Sequence, residues 1–149
     1  DEVDMVVLNG ESEARFLAPQ QLAKCCRMAL TATQLCALNG RQTVSMSEWQ
    51  GARQVHAVAG IGNPQRFYDT LLHAGFQLST HTFPDHHHFS AQDLRFDDDL
   101  AVIMTEKDAV KCDHMTLNNA WYVQVEAQLD EQFGRHLTDK LNQFFNRQS

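Results

Sequence analysis

The sequence predicts an α/β fold: a mostly parallel sheet with helices on both faces, a Rossmann-like lobe, together with an N-terminal β-hairpin. Three observations carry this. Short apolar runs alternate with amphipathic stretches along the chain, which implies parallel strands covered by helices. Asn39-Gly40, the strongest short turn signal available, separates two β-leaning segments and marks the hairpin. With 149 residues, 43% apolar and 21% charged, the chain has the size and composition of one ordinary globular domain.

The elements follow in order. Residues 5–8 (MVVL) read as a buried strand ending in a turn at Asn9-Gly10. Asp1-Glu2 lead into it without leader or cap, so a chain that begins mid-protein is expected. Residues 30–38 and 43–46 form the hairpin arms. Residues 55–59 (VHAVA) are a short strand, residues 60–64 (GIGNP) a glycine turn, and Phe67, Leu71 and Leu72 share one face of a helix closed by Gly75. Residues 76–83 alternate as a second strand and lead into FPDHHHF. Ser90, with Asp93 three places on, predicts the start of a short helix. Residues 100–104 are a buried run, residues 105–112 a helix, residues 121–125 a last strand, and residues 130–146 an amphipathic closing helix striped by Phe133, Leu137, Leu141 and Phe144. There is no internal repeat or low-complexity segment.

Bulk properties exclude several classes. A net charge of −7 argues against nonspecific nucleic-acid binding, which needs a basic surface to release counterions. The four cysteines, Cys25, Cys26, Cys36 and Cys112, show no C-x-x-C spacing, and two are neighbours; reduced thiols in a cytosolic setting are expected. No apolar stretch approaches the roughly 20 residues needed to span a bilayer as a helix.

In a parallel sheet, ligands collect where strands hand over to helices. Three loops qualify and are expected to share one rim: residues 60–64, 83–89 and 105–108. GIGNP resembles the opening of a dinucleotide fingerprint, but it lacks the third glycine, and no G-x-x-x-x-G-K-[ST] occurs in the chain. The alternative is a tight turn with Asn63 capping and Pro64 at the first helical position. For the run Asp85-His86-His87-His88 three readings stand. A metal site would need partners such as His56 or His81; a solvated polar loop is the bland case; a carboxylate orienting an imidazole would serve acid/base work. In MTEKDAVKC, Lys107 and Lys111 fall one i,i+4 step apart and would suit an anionic ligand, while Glu106 and Asp108 equally fit helix-dipole stabilisation.

VHAVAGIGNPQRFYDTL, FPDHHHF, VIMTEKDAVKC and WYVQVEAQL, in this order and at these spacings, resemble the C-terminal half of the tetraacyldisaccharide 4′-kinases, the lipid A 4′-kinases of Gram-negative bacteria. VDMVVLNG is similar to the segment that follows the kinase half, and only residues 26–54 resemble the family loosely. The resemblance implies one α/β domain over residues 1–149, the C-terminal lobe of a two-lobe kinase. Such a kinase transfers a phosphoryl group from ATP to the 4′-hydroxyl of a lipid-linked disaccharide at the cytoplasmic face of the inner membrane. ATP and Mg²⁺ would be held mainly by an N-terminal lobe that carries the phosphate-binding loop, the metal-holding acidic residues, a catalytic aspartate and a membrane-associating segment. None of these is found here.

By the same resemblance, Asp85 and His86 match the family's catalytic Asp-His pair, with His86 orienting or relaying for the N-lobe aspartate; His87 and His88 are left without a role. Gly60, Gly62, Asn63, Thr105, Glu106, Lys107 and Asp108 fall at family positions as candidates for lining the interlobe cleft on the cofactor side, and no metal ligand is implied. The isolated lobe is expected to be inactive and able to self-associate through surface its partner would cover. A metal-dependent hydrolase at the histidine cluster, or a non-catalytic interaction module, are the competing classes.

Overall fold

The computed structural model describes residues 3–9, 17–22, 24–40 and 42–146. Gly10, in the expected first turn, lies outside them. In chain order the elements are β1 (Val6–Asn9), α1 (Pro19–Leu22), β2 (Cys25–Ala37), β3 (Thr43–Ser45), β4 (Gln54–Ala59), α2 (Pro64–His73), β5 (Gln77–Thr82), β6 (Ala101–Thr105), α3 (Glu106–Ala109), β7 (Ala120–Leu129) and α4 (Glu131–Asn146). The chain divides into two compact units, Ala32–Val125 and Asp1–Thr31 with Glu126–Ser149, and β2 and β7 have residues in both.

In the unit Ala32–Val125 the strands lie in the order β2, β7, β6, β4, β5. β6 runs parallel to β7, and β4 is parallel to both β6 and β5, with Ala57 opposite Ile103 and Thr80. The hairpin forms as expected: β3 is antiparallel to β2, Leu35 facing Val44, and Gly40 takes the left-handed φ of +69° that a residue with a Cβ resists.

Continuous apolar runs at β4 and β6 mean burial on both faces, and the pleat sorts them. Val55, Ala57, Ala59, Ala101 and Ile103 pack with Phe67 and Leu71 of α2, while Val58, Val102 and Met104 pack on the other face with Phe89, Leu94, Ala109 and Cys112. α2 starts with Pro64 at its first turn, where a missing amide costs nothing, and Asn63 occupies the cap position without a side-chain capping bond. It ends in a Schellman arrangement: Gly75, at φ +85°, donates to the Leu72 carbonyl at 2.9 Å, and Phe76 donates to Leu71 at 3.1 Å.

The helix expected at Ser90 does not form. The same S-x-x-D spacing folds as a turn in which the Asp93 carboxylate accepts from both the Ser90 amide and the Ser90 hydroxyl, each at 2.8 Å. A carboxylate reaching back to Ser90 replaces the hydroxyl cap that would have started a helix. The residues beyond are held elsewhere: Phe96 stacks on His56 with centroids 3.8 Å apart, and Asp98 accepts from His56 Nε2 at 3.0 Å.

In the other unit, β1 runs parallel to the first part of β2, with Val6 opposite Cys25 and Asn9 opposite Met28. The closing helix α4 forms over the expected span. Asp130 starts it, accepting from the Phe133 amide at 3.0 Å through one oxygen and from the Arg27 amide at 2.7 Å through the other, and the Arg27 amide above all holds its carboxyl below the usual carboxylate range. Within this unit, Cys26 lies 3.8 Å from His136 Nδ1. The apolar stripe of α4 is not buried: Leu137, Leu141 and Phe144 remain 40%, 48% and 57% exposed.

Candidate functional site

All three loops named from the sequence follow the carboxyl ends of adjacent parallel strands, β5, β4 and β6, within the unit Ala32–Val125. From β4 the chain passes through α2 to β5 on one side. From β6 it passes through α3 to β7 on the other. The gap between the ends of β4 and β6 is therefore a topological switch point, the place where such sheets open a crevice.

Asp108 spans that gap. It has no exposed surface, and one carboxylate oxygen accepts from the Gly60 amide at 2.8 Å and the Thr105 hydroxyl at 2.7 Å. Its other oxygen accepts from Lys111 Nζ at 2.8 Å, and that ammonium lies 3.4 Å from the Gly60 carbonyl. Thr105, in extended conformation at the start of α3, accepts in turn from the Asp108 amide at 3.1 Å. A buried carboxylate with three donors, one of them a cation, is satisfied. Gly60 is tightly enclosed: a Cβ there would sit 3.1 Å from Phe89 and 3.2 Å from Asp108, so a neighbour would have to give by a few tenths of an ångström. Burial and the neighbouring Asp108 push the Cys112 thiol up to about 11, so it is inert filling under the loop.

Asp85 and His86 stand on the surface of the same rim. Asp85 Oδ1 accepts from Lys107 Nζ at 3.1 Å and from the His86 amide at 3.0 Å. Its second oxygen lies 3.7 Å from His86 Nε2, outside ordinary hydrogen-bond range, and 3.7 Å from where a Cβ on Gly62 would be. The Lys107 ammonium above all holds the Asp85 carboxyl below the usual carboxylate range. His86 occupies the third position of a turn closed by the His87 amide donating to Pro84 at 3.1 Å, and it has φ +63°, where a turn ordinarily takes glycine. Its imidazole is 79% exposed.

The structure thus groups Gly60, Gly62, Thr105, Lys107 and Asp108 with Asp85 and His86, and it changes how several act. Asp108 works from beneath the surface. Lys107 and Lys111 do not present one anionic face: the first pairs with Asp85, the second with Asp108. Glu106 faces β7, where its carboxylate accepts from the Val125 amide at 3.5 Å, and Asn63 stands at the start of α2. His56 and His81, the partners a metal reading required, are bonded to each other at 3.0 Å, and His56 also donates to Asp98. Sequence reasoning passed over His87, whose ring is held by Phe83, Phe89 and Asp93. The aromatic residues on either side of the histidine run were the available signal.

Two consequences are measurable. Asp108→Ala leaves the Gly60 amide, the Thr105 hydroxyl and Lys111 without their shared acceptor. It is expected to lower unfolding free energy by about 3 kcal/mol, read as a lower denaturant midpoint at unchanged m-value. Asp85 in the folded chain is expected to titrate below an unpaired aspartate, with Lys107→Gln raising its midpoint; carboxyl NMR titration checks both. A depressed folded pKa means the pair's contribution is present above the ordinary aspartate pKa and lost as pH falls through the depressed one. An Asp85 midpoint indifferent to Lys107→Gln would rule out the ion pair.

Comparison with known proteins identifies relatives of the chain. A model of the tetraacyldisaccharide-1-P 4′-kinase family matches residues 1–142. Among curated relatives, a tetraacyldisaccharide 4′-kinase of Pseudomonas putida is 36% identical over 98% of this chain and 42% of its own length. Those of Legionella pneumophila and Hahella chejuensis are 41% and 49% identical over 89% and 59% of the chain, and over 37% and 26% of their own lengths. The chain thus spans less than half the length of these relatives. A crystal structure of Aquifex aeolicus LpxK, an "apo" form described as in complex with ATP, superposes with a TM-score of 0.62 over 98% of this chain and 53% of that one; at 16% identity this shows a shared fold. The chain belongs to the tetraacyldisaccharide-1-P 4′-kinase family.

Proposed function

We propose that this chain is the second, C-terminal lobe of an ATP-dependent kinase that phosphorylates the 4′-hydroxyl of tetraacyldisaccharide 1-phosphate at the cytoplasmic face of the inner membrane. The carrying observation is the family match over residues 1–142. The rim geometry supports it, with an exposed imidazole at His86 beside a carboxylate anchored by Lys107.

Phosphoryl transfer depends chiefly on positioning and charge stabilisation, with little covalent chemistry for the protein to perform. In this reading His86 meets a carboxylate base contributed by the other lobe, orients it, and holds or relays the proton leaving the sugar hydroxyl. Asp85 keeps the turn shaped by accepting from the His86 backbone amide, while Lys107 prevents that carboxylate from swinging away.

Residues fit for Mg²⁺ are a separate matter. A divalent ion bridging phosphates needs carboxylate oxygens that are free to coordinate it. Asp108 is buried with both oxygens engaged, and Asp85 shares one oxygen with Lys107, whose ammonium disfavours a second cation beside it. Neither suits the ion, so ATP and Mg²⁺ are assigned mainly to the other lobe.

Two measurements test the proposal. In the full-length kinase, His86→Ala is expected to lower kcat on the order of 100-fold or more while leaving the thermal unfolding midpoint unchanged. Wild-type turnover in that variant would remove the catalytic reading of His86. The 149-residue chain alone is expected to transfer no phosphate from ATP to the disaccharide. Product formed by the purified chain would show that the chemistry does not need two lobes.

A further inference from the structure

We propose that His87 is a positioning residue for His86, stapling the turn on which His86 stands to the core beneath it. The inference rests on the proposed role of His86 and extends it to a neighbour whose side chain points the other way.

His86 itself has little to hold it. Its imidazole is 79% exposed, and its φ of +63° is one that residues bearing a Cβ adopt reluctantly, at a cost on the order of 1 kcal/mol or more. Such a conformation persists only where the surroundings over-determine it. On one side Asp85 closes on the His86 amide at 3.0 Å. On the other, everything runs through His87.

The His87 amide closes the turn on the Pro84 carbonyl at 3.1 Å. Its side chain, only 27% exposed, stacks on Phe83 with centroids 4.6 Å apart and planes 29° apart. It also meets Phe89 edge-on, at 4.9 Å and 84°, while Phe83 and Phe89 contact each other at 5.1 Å. The three rings form one cluster, and such aromatic contacts add to the value of the area they bury. Phe89 is 7% exposed and lies against the Gly60 loop, which carries the cluster into the core at the switch point. His87 Nε2 faces Asp93 Oδ2 at 3.4 Å, on a carboxylate already fixed by two bonds from Ser90. An acceptor there places the proton of a neutral His87 on Nε2. At that length the bond is weak, so stacking supplies most of the hold and Asp93 sets the rotation of the ring.

The order of effects among variants follows. His87→Phe keeps a flat ring between Phe83 and Phe89 and loses only the contact to Asp93. His87→Ala loses both and frees the turn to rotate His86 out of place, and a misplacement near 1 Å can cost on the order of 100-fold in rate. A residue that acts only through His86 has nothing to contribute once His86 is gone.

The test is a kinetic cycle in the full-length kinase, using ATP and the tetraacyldisaccharide 1-phosphate. Expected are a drop in kcat of about 10- to 100-fold for His87→Ala with KM for ATP little changed, kcat within about 3-fold of wild type for His87→Phe, and no further loss when His87→Ala is added to His86→Ala. Should His87→Ala not fold, His87→Leu, which fills the space without a flat ring, takes its place. Wild-type kcat in His87→Ala beside an impaired His86→Ala overturns the inference alone. So does an equal loss from His87→Ala in both backgrounds, which would mark a role independent of His86. Full turnover in His86→Ala overturns the catalytic reading beneath it, and the inference with it.

Discussion

Asp108 sets the conditions under which the rest of the rim exists. A carboxylate moved out of water costs several kcal/mol unless charge and hydrogen bonds compensate, and removing either partner of a buried pair is far worse than never having had one. Asp108 has that compensation from three directions: the β4 loop at Gly60, the end of β6 at Thr105, and Lys111 beyond α3. These lie on opposite sides of the switch point, where the connections from β4 and β6 diverge to different faces of the sheet. A hydrophobic residue could pack the space but could not tie two loops to one point. The value of the pair therefore lies in geometry more than in stability.

Much of this fold is legible in the residues because local and tertiary demands agree. The β4 and β6 runs are apolar throughout since both faces of each strand are covered. Gly40 and Gly75 stand where φ must be positive, and the alternation of strands and helices puts three loops at one end of the sheet. Once that alternation is read, the neighbourhood of Gly60, Asp85 and Thr105 follows from topology.

What was not legible arose where one spacing encodes two structures. Ser90 and Asp93 fit a helix cap or a turn closed by the carboxylate, and the pull of Phe96 and Asp98 toward His56 decides for the turn. Lys107 and Lys111 share a face only on a regular α-helix, at 3.6 residues per turn. α3 ends at Ala109, and residues 110–112 tighten into a 3₁₀ turn of three residues, so a four-residue step carries Lys111 round toward Asp108 and leaves Lys107 facing Asp85. Adjacent histidines in an irregular loop, such as His86 and His87, have no period from which to read which one faces the core. The flanking Phe83 and Phe89 signal a buried ring, and their positions in the fold decide which histidine supplies it.

That rotation of the two lysines also bears on what this rim can contribute to a phosphoryl transfer. Two unpaired ammonium groups on one face would have made it a trap for polyphosphate. Instead each faces a carboxylate, so the four charges cancel locally, within a chain whose net charge is −7. Any polyphosphate drawn to the rim would have to compete with Asp85 for Lys107, and it would find Lys111 already committed beneath the Gly60 loop. Neutralisation of charge in the transition state, usually the largest single term in such reactions, is thus not what these residues are built to supply. They are built to hold shape: Asp108 fixes the two loops to each other, Lys107 steadies Asp85, and the ring cluster of Phe83, His87 and Phe89 fixes the turn that carries His86. Under the proposed function, such a rim gives position to a reaction whose charge is managed elsewhere, which fits a site completed when two lobes close.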